Sequence, residues 1–355
     1  MRILTAVGAR PQFIKAAPVN LALQAAGHED VIVHSGQHYD DSMSEVFFRE
    51  LGIPAPQRNL NAGSGSHAEQ TAAMLVGYEK AILDYSPDLV LVHGDTNSTL
   101  AAALAACKLG VALAHNEAGL RSFNKSMPEE YNRLLTDHCS DLLFCPTYSA
   151  SLRLQREGIS AGVYVVGDVM ADTARIFSDA AAGRDIPQSF GLTPGAYALA
   201  TLHRAYTIDD AARVRRALQA LGRIGLPVLL PLHPRMRARM EKEELIVPRQ
   251  LVLTDPLGYL DMTAALKSAH MVFTDSGGLQ KEAYIHGVPC VTLRPETEWT
   301  ETVEAGWNRI VDLDEALIAE AAACRWWPAE RPELFGDGHA AERILEHITV
   351  FRKSQ

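Results

Sequence analysis

Long apolar runs are missing from this 355-residue chain. None approaches the ~20 consecutive residues of a membrane-spanning helix, so no membrane partner is expected. Cysteine is scarce. Cys107, Cys139, Cys145, Cys290 and Cys324 lie far apart and form no C-x-x-C pair. An odd count without a framework reads as the reduced thiols of a cytoplasmic protein. No Cys/His cluster has metal-ligand spacing, so no metal is expected. Basic charge is also short, with 33 Lys and Arg against 43 Asp and Glu and a net charge of -10. That argues against nucleic acid but leaves room for a local basic pocket. There is no G-x-G-x-x-G turn, hence no sign of a dinucleotide cofactor, and no nucleophile elbow. No leader pattern precedes the first strand. Short repeats and low-complexity tracts are absent as well.

What is present is an alternation of short apolar runs with longer helical segments. Strands are expected at 3–7, 30–34, 88–92, 111–114, 141–144 and 163–166. Helices are expected at about 11–25, 43–51, 68–84, 99–109, 130–139 and 149–157. Pro11 suits a first helical turn; Pro18 is expected to kink or interrupt the same helix. Residues 57–67, rich in Asn, Gly and Ser, read as a loop. A second alternation has strands at 197–202, 227–232, 251–254, 271–274 and 289–293. Strands of this length between helices predict parallel doubly wound sheets. The class is α/β, with two Rossmann-like domains facing across a cleft. The expected division is 1–168 and 169–335, with an amphipathic terminal segment, 336–355, packing back on the first domain.

The chemistry is concentrated between Val92 and Arg133. Asp95 and Glu117 each follow a strand-type run, and Glu129 follows a Pro that opens a helix. Acids at the ends of neighbouring strands converge on one crevice of an open α/β sheet. Asp95 also reads as a helix cap, and Glu129 as first-turn dipole complementarity. Gly8-Ala9-Arg10-Pro11 joins a strand to a helix, and Arg10 with Lys15 suits an anion. Asp275-Ser276-Gly277-Gly278 is the sharper anion signal. Two glycines there permit close approach, and the next helix aims free N–H groups at the turn, which fits a pyrophosphate. Glu282, one turn on, is placed for ribose hydroxyls. His203-Arg204 and His233-Pro234-Arg235 close two strands of the second domain. Gln37-His38 reads either as a weaker site element or as a plain turn. The stretch from Arg294 to Trp299 lines the cleft or forms a charged surface loop.

Eight stretches carry a family resemblance: VGARPQFIK (7–15), SGQHYD (35–40), HGDTNSTLA (93–101), EAGLRS (117–122), MPEEYNR (127–133), LHPR (232–235), TDSGGLQKEA (274–283) and TLRPETEW (292–299). In this order over almost the whole chain, they resemble the non-hydrolysing UDP-N-acetylglucosamine 2-epimerases. Several also resemble the sister group acting on UDP-2,3-diacetamido-2,3-dideoxyglucuronic acid. The resemblance implies a GT-B fold, a homodimer, a UDP-sugar substrate, and neither metal nor nicotinamide cofactor. It implies that the C2 proton is removed as UDP leaves C1, and that UDP and a proton then add back to the glycal, for surface-polysaccharide precursor synthesis. On it, Asp95, Glu117, Glu129 and His203 are catalytic. Arg10, Lys15, Ser276, Gly277, Gly278, Glu282 and Arg294 bind substrate or UDP. Gln37, His38, Arg204 and His233 form a second, activating UDP-sugar site. Asn116, where relatives carry a bulky apolar residue, and Ala205-Tyr206-Thr207, where they carry a Glu-Asn pair, depart from the pattern. A GT-B glycosyltransferase and a weakly active UDP-sugar-binding protein are the alternatives from other classes.

Overall fold

Aliphatic residues alternate across two faces in every long strand, and helices cover both faces. The computed structural model describes the backbone of residues 1–36, 50–63 and 65–351, and all their side chains except those of Arg10 and Ala205. It divides into two units, Met1–Ile176 with Phe335–Gln355, and Phe177–Leu334.

The first unit holds β1 (Arg2–Val7), β2 (Glu29–His34), β3 (Arg58–Asn59), β4 (Leu89–His93), β5 (Ala112–Asn116), β6 (Leu142–Cys145) and β7 (Val163–Val165). They form one sheet in the order β3-β2-β1-β4-β5-β6-β7. Its pairs are parallel, with Ala6 opposite Val92 and His93 opposite Asn116. The helices are α1 (Arg10–Ala25), α2 (His67–Tyr85), α3 (Asn97–Lys108), α4 (Pro128–Cys139), α5 (Tyr148–Arg156) and α6 (Val169–Ile176). Leu4, Ala6, Val90 and Val92 face one side, packed with Met74 and Tyr78 of α2 and the alanines of α3. Those alanines, from Ala101 to Ala106, bring α3 close to the sheet. Ile3, Leu89, Leu91 and Phe144 face the other side with Val19 and Leu23 of α1.

The second unit repeats the plan with β8 (Ala198–Thr201), β9 (Val228–Pro231), β10 (Leu251–Thr254), β11 (Met271–Thr274), β12 (Cys290–Thr292) and β13 (Asn308–Ile310). Their order is β10-β9-β8-β11-β12-β13, again parallel. Its helices are α7 (Ser178–Ala182), α8 (Ile186–Ser189), α9 (Ala205–Ile208), α10 (Ala211–Leu221), α11 (Pro234–Lys242), α12 (Tyr259–Lys267), α13 (Gly277–Ile285), α14 (Thr300–Glu304) and α15 (Glu315–Ala323). The chain then returns to the first unit, where α16 (Ala340–Val350) buries Ile344 and Ile348 against the α1 face. Each such side chain contributes about 1.5–3 kcal/mol of burial.

In each sheet the strand order reverses between the first strand and the fourth, β1/β4 and β8/β11. Ligands of open α/β sheets bind outside the carboxyl ends of strands at that point.

Four details differ from the sequence expectations. Pro18 does not interrupt α1. It cannot donate to the Ile14 carbonyl, and the Thr173 hydroxyl of α6 bonds that oxygen instead at 3.1 Å. α6 therefore belongs with the first unit, and the division falls at Ile176/Phe177 rather than after Asp168. β3 lies inside the stretch read as a loop, and β13 was not anticipated. The expected helix at 43–51 falls largely outside the described residues.

Gly8, just after β1, is confined by its neighbours. A Cβ there would stand 2.2 Å from Ser35 Oγ and 2.9 Å from Ser98 Cβ. Gly8→Ala is expected to cost about 1–3 kcal/mol by overpacking, read as a lower urea midpoint at unchanged slope.

Candidate functional site

The first unit's switch point is closed by Gln12, in the first turn of α1. Its side-chain oxygen accepts the N–H groups of Gly8 and Ala9 at 2.8 and 3.0 Å. Its amide nitrogen donates to the His93 carbonyl at 2.9 Å and to Thr99 Oγ at 3.0 Å. The turn after β1 is thereby fastened to the end of β4, where Gly94 and Asp95 follow. Gly94 has φ +67°, and a Cβ on it would meet Lys15 Nζ at 3.1 Å and Glu117 Oε2 at 3.3 Å. Only glycine suits both conditions.

Asp95, Glu117, Glu129 and Lys15 come together here. Lys15, one turn into α1, forms an ion pair with Glu117. Glu117 is 7% exposed and holds φ +76°, a left-handed conformation unusual for a residue with a side chain. Strain of this kind concentrates at functional sites. Its N–H and that of Ala118 both donate to the Phe144 carbonyl, at 3.1 and 3.0 Å, which fixes the loop on β6. Asp95 keeps 34% of its side chain accessible and accepts from Arg133 Nη1 at 2.6 Å. Burial pushes its carboxyl above the ordinary range, and Glu117 and Glu129 push the same way. Arg133 and Lys15 oppose that rise. Such a carboxyl exchanges protons closer to neutrality than a surface aspartate does.

Glu129 and Glu130 have separate duties. Glu129, half-buried in the first turn of α4, acts electrostatically on Asp95. Glu130 is buried and accepts the N–H groups of Ser122 and Phe123, each at 2.9 Å, with Ser122 Oγ at 3.0 Å and Arg133 Nη2 at 3.0 Å. Burial disfavours its charge, but these donors hold its carboxyl below the usual range. Asn132 adds a bond to the Asp95 carbonyl at 2.9 Å.

Asn116, the residue before Glu117, directs its amide to His93 Nδ1 across the strand pair at 3.0 Å. Burial, then Lys15 and His115, lower the His93 value to about 3 against the pull of Glu117, which keeps the ring neutral. The roles of Gln12, Asn132, Arg133 and the His93–Asn116 pair were not anticipated from sequence. Asn132 and Arg133 did have a signal, lying three and four residues after Glu129 and so on one side of an expected helix. The side chain of Arg10, and Gln37 and His38 entirely, lie outside the described residues.

In the second unit the switch point is organised by Asp275 at the end of β11. It is fully buried and accepts the His203 N–H at 3.0 and 3.1 Å and the Arg204 N–H at 3.1 Å. The turn after β8 is thus fixed, and His203 presents its ring with its Nδ1 3.9 Å from Asp275. The His233 ring lies 6.5 Å from it between centroids. His233 caps α11, its Nδ1 accepting the Arg235 N–H at 3.2 Å. Ser276 caps α13, its hydroxyl accepting the Leu279 N–H at 3.4 Å. The N–H groups of Gly277 and Gly278 belong to the first turn, where helical partners are lacking. A Cβ on Gly277 would meet Glu298 Oε2 at 3.3 Å, whereas one on Gly278 would face open space apart from Ser276 Oγ at 3.8 Å. The fold therefore limits the first glycine, and the second leaves room beside the helix N-terminus, a position suited to anionic oxygens. Glu282 is half-buried one turn along, near Tyr259.

Arg294 is buried and bonds Glu298 Oε2 at 2.7 Å, with Arg204 4.0 Å from Glu298 Oε1. Burial disfavours the Glu298 charge, but Arg294 and then Arg204 outweigh it and bring the carboxyl down to about 2. Arg294 is thus engaged within the protein. Among the described residues no group of three or more His, Cys, Asp and Glu side chains is placed to hold a metal ion. No helix among them is long and apolar enough to cross a membrane.

A family profile described as UDP-N-acetylglucosamine 2-epimerase matches residues 21–349. The UDP-2,3-diacetamido-2,3-dideoxy-D-glucuronate 2-epimerase of Pseudomonas aeruginosa is 47% identical over 98% of this chain and 99% of its own. A UDP-N-acetylglucosamine 2-epimerase homolog of Methanococcus maripaludis is 46% identical with the same coverage. The crystal structure of the Methanocaldococcus jannaschii UDP-GlcNAc 2-epimerase in complex with UDP-GlcNAc and UDP superimposes with a TM-score of 0.91. It is 39% identical, over 98% of this chain and 99% of that one. The GT-B class expected from sequence is the fold of these proteins and of this chain.

The Glu298 pair has a pH signature. Its folded value of about 2 lies below the ordinary 4.5, so its stabilisation is complete above about 4.5 and lost as pH falls toward 2. Glu298→Gln strands Arg294 and is expected to cost ~3–5 kcal/mol near neutrality. The melting difference from the parent protein should shrink by about pH 3. A difference that grows on acidification would contradict the assignment.

Proposed function

The chain belongs to the UDP-N-acetylglucosamine 2-epimerase family, and from that premise we propose how its residues invert C2 of UDP-N-acetylglucosamine. The observation that carries the reading is the gathering of Asp95, Glu117 and Glu129 around Lys15 and Arg133 at the strand ends. Inversion at one carbon needs a proton taken from one face and another delivered to the opposite face, hence more than one proton-handling group. A carboxylate takes the C2 proton. The C–H electron pair becomes the C1=C2 double bond as the C1–O bond breaks, and UDP leaves with that bonding pair. The 2-acetamidoglucal is then protonated at C2 on the other face while a UDP β-phosphate oxygen re-forms the bond to C1. No atom or electron is gained, so the reaction is an isomerisation and calls for no redox partner.

In this reading the first unit handles protons and the second holds UDP. The Gly277–Gly278 turn takes the diphosphate, Glu282 the ribose, and His203 with Arg10 and Lys15 the charge on departing UDP. Arg294 acts indirectly, by fixing Glu298 beside Gly277. His233, Arg204, Gln37 and His38 are assigned to a second UDP-sugar site. A surface-polysaccharide role, a cytoplasmic location and a homodimer belong to the same proposal. Exposed Val76 and Leu83 of α2, and Tyr131 and Leu135 of α4, support the dimer, which light scattering tests.

A second reading rests on the 47% identical relative, whose name specifies the diacetamido-glucuronate sugar. Incubation with each UDP-sugar, followed by NMR of the anomeric protons, separates the two. Activity on neither would remove both.

In D2O the protein is expected to place deuterium at C2 of its substrate. Asp95→Asn, Glu117→Gln and Glu129→Gln should each lower that rate ~10²–10⁴-fold with UDP binding retained. Parental rates in all three would refute the assignment. Arg133→Gln removes the charge that holds Asp95 down, so whichever limb of the pH–rate profile Asp95 governs should move to higher pH. An unmoved or lowered limb would dissociate the pair from the chemistry.

A further inference from the structure

One buried carboxylate near the three acids has no part in the chemistry just described. Asp137 lies in the last turn of α4 with no side-chain exposure. Its Oδ2 accepts the Gly119 N–H at 3.1 Å and pairs with Arg121 Nη1 at 2.7 Å. Its Oδ1 faces His115 Nδ1 at 2.7 Å, and the same ring's Nε2 lies 2.8 Å from the Gly94 carbonyl. One side chain therefore reaches both loops that carry acids. It reaches the loop after β5 directly, two residues beyond Glu117. It reaches the loop after β4 through His115, one residue before Asp95. Arg121 is held on its far side by Glu157, at 2.8 and 2.7 Å.

The helix supplies a reason for this arrangement. Glu129, Arg133 and Asp137 recur every four residues, which places them along one face of α4. The first is a proposed proton handler, the second grips Asp95, and the third grips the two loops. Glu117 at φ +76° is a conformation that neighbours must impose, while Gly119 at φ +80° is one that glycine adopts freely. The Gly119 N–H held by Asp137 and the two N–H groups held by the Phe144 carbonyl are the bonds that fix this stretch.

We propose that Asp137 is a positioning residue for the C2 inversion, holding the Glu117 and Asp95 loops at their working separation through Gly119 and His115. The proposal rests on the functional reading above. It goes beyond that reading in assigning catalytic consequence to a group that touches no substrate. A carboxylate that merely anchored α4 would affect stability and leave the balance between kcat and KM unchanged.

The test uses Asp137→Asn in the full-length protein, which keeps the shape but removes the charge and one acceptor. Its expected result is a ~10- to 100-fold fall in kcat for C2 deuterium exchange, with KM and UDP affinity within about twofold of the parent. Amide hydrogen exchange should show lost protection in residues 117–122 and none in the second unit. That measurement reads the loop without reference to turnover. A parent protein inactive on UDP-sugars would therefore refute the functional reading, while unchanged 117–122 protection would refute this one. Parental kcat in the variant would overturn the proposal, as would loss of protection throughout the first unit with kcat and KM both altered. If Asp137→Asn does not fold, His115→Gln is expected to lower kcat at unchanged KM and to lose protection in the loop after β4, around Gly94, rather than in 117–122, and parental turnover in it overturns the proposal. Where both fold, the double variant should lose no more than the worse single one, because the two act through one chain of contacts.

Discussion

The first unit's site depends on one buried cation. Arg133 is 2% exposed and bonds both Asp95 and Glu130. Glu130 in turn holds the backbone at Ser122 and Phe123, so a single guanidinium links an acid at the end of β4 to the loop that follows β5. Glu117 and Glu129 stand close enough to raise the proton affinity of Asp95. Without a fixed positive charge Asp95 would hold its proton more tightly still, because like charges in a crowded site cannot all ionise. Arg133 and Lys15 set the compromise, leaving Asp95 raised yet still titratable. A lysine at position 133 would supply the charge without the planar fork that reaches both oxygens sites at once.

The two units solve the same local problem with the same device. A ligand loop at a sheet's switch point must be rigid while its side chains stay available. In each unit a buried side chain accepts the two N–H groups that follow the first strand. Gln12 does so for Gly8 and Ala9, and Asp275 for His203 and Arg204. Each is also anchored at the fourth strand, Gln12 by its bond to the His93 carbonyl and Asp275 by its place at the end of β11. The turn is thus fixed through its backbone, and what projects from it is available for chemistry. Glu130 repeats the device for Ser122 and Phe123, and Asp137 extends it to Gly119.

Much of this was legible in the sequence, and the reasons are specific. The aliphatic runs that became β1, β4, β8 and β11 are continuous and bounded by Gly or Asp, so both sheets were readable. The strand order then placed Gly8, Asp95, His203 and Ser276 at the switch points. β3 and β13 escaped because two or three residues with Arg and Asn carry no period, and neighbouring strands alone define them. Pro18 was misjudged because the group that satisfies Ile14 is Thr173, far along the chain. Asp95, Glu117 and Lys15 were found as chemistry-bearing types at strand ends or near a turn. Asp137 and His115 were not, because their importance lies in bonds to backbone atoms that only the folded loops bring within reach. Asn116 stood out in the sequence only as a departure from the family pattern. The partner of its amide, His93 on the neighbouring strand, comes within reach only in the folded sheet.

The central claim is that these residues let UDP leave and return at C1. Positional isotope exchange tests it most directly. UDP-sugar carrying ¹⁸O in the C1–O–P bridge is incubated with the protein, and the label is located by ³¹P NMR. Departure and return of UDP predict that label moves from the bridge to the non-bridging β-phosphate oxygens during C2 inversion. Inversion with the label wholly retained in the bridge would contradict the account.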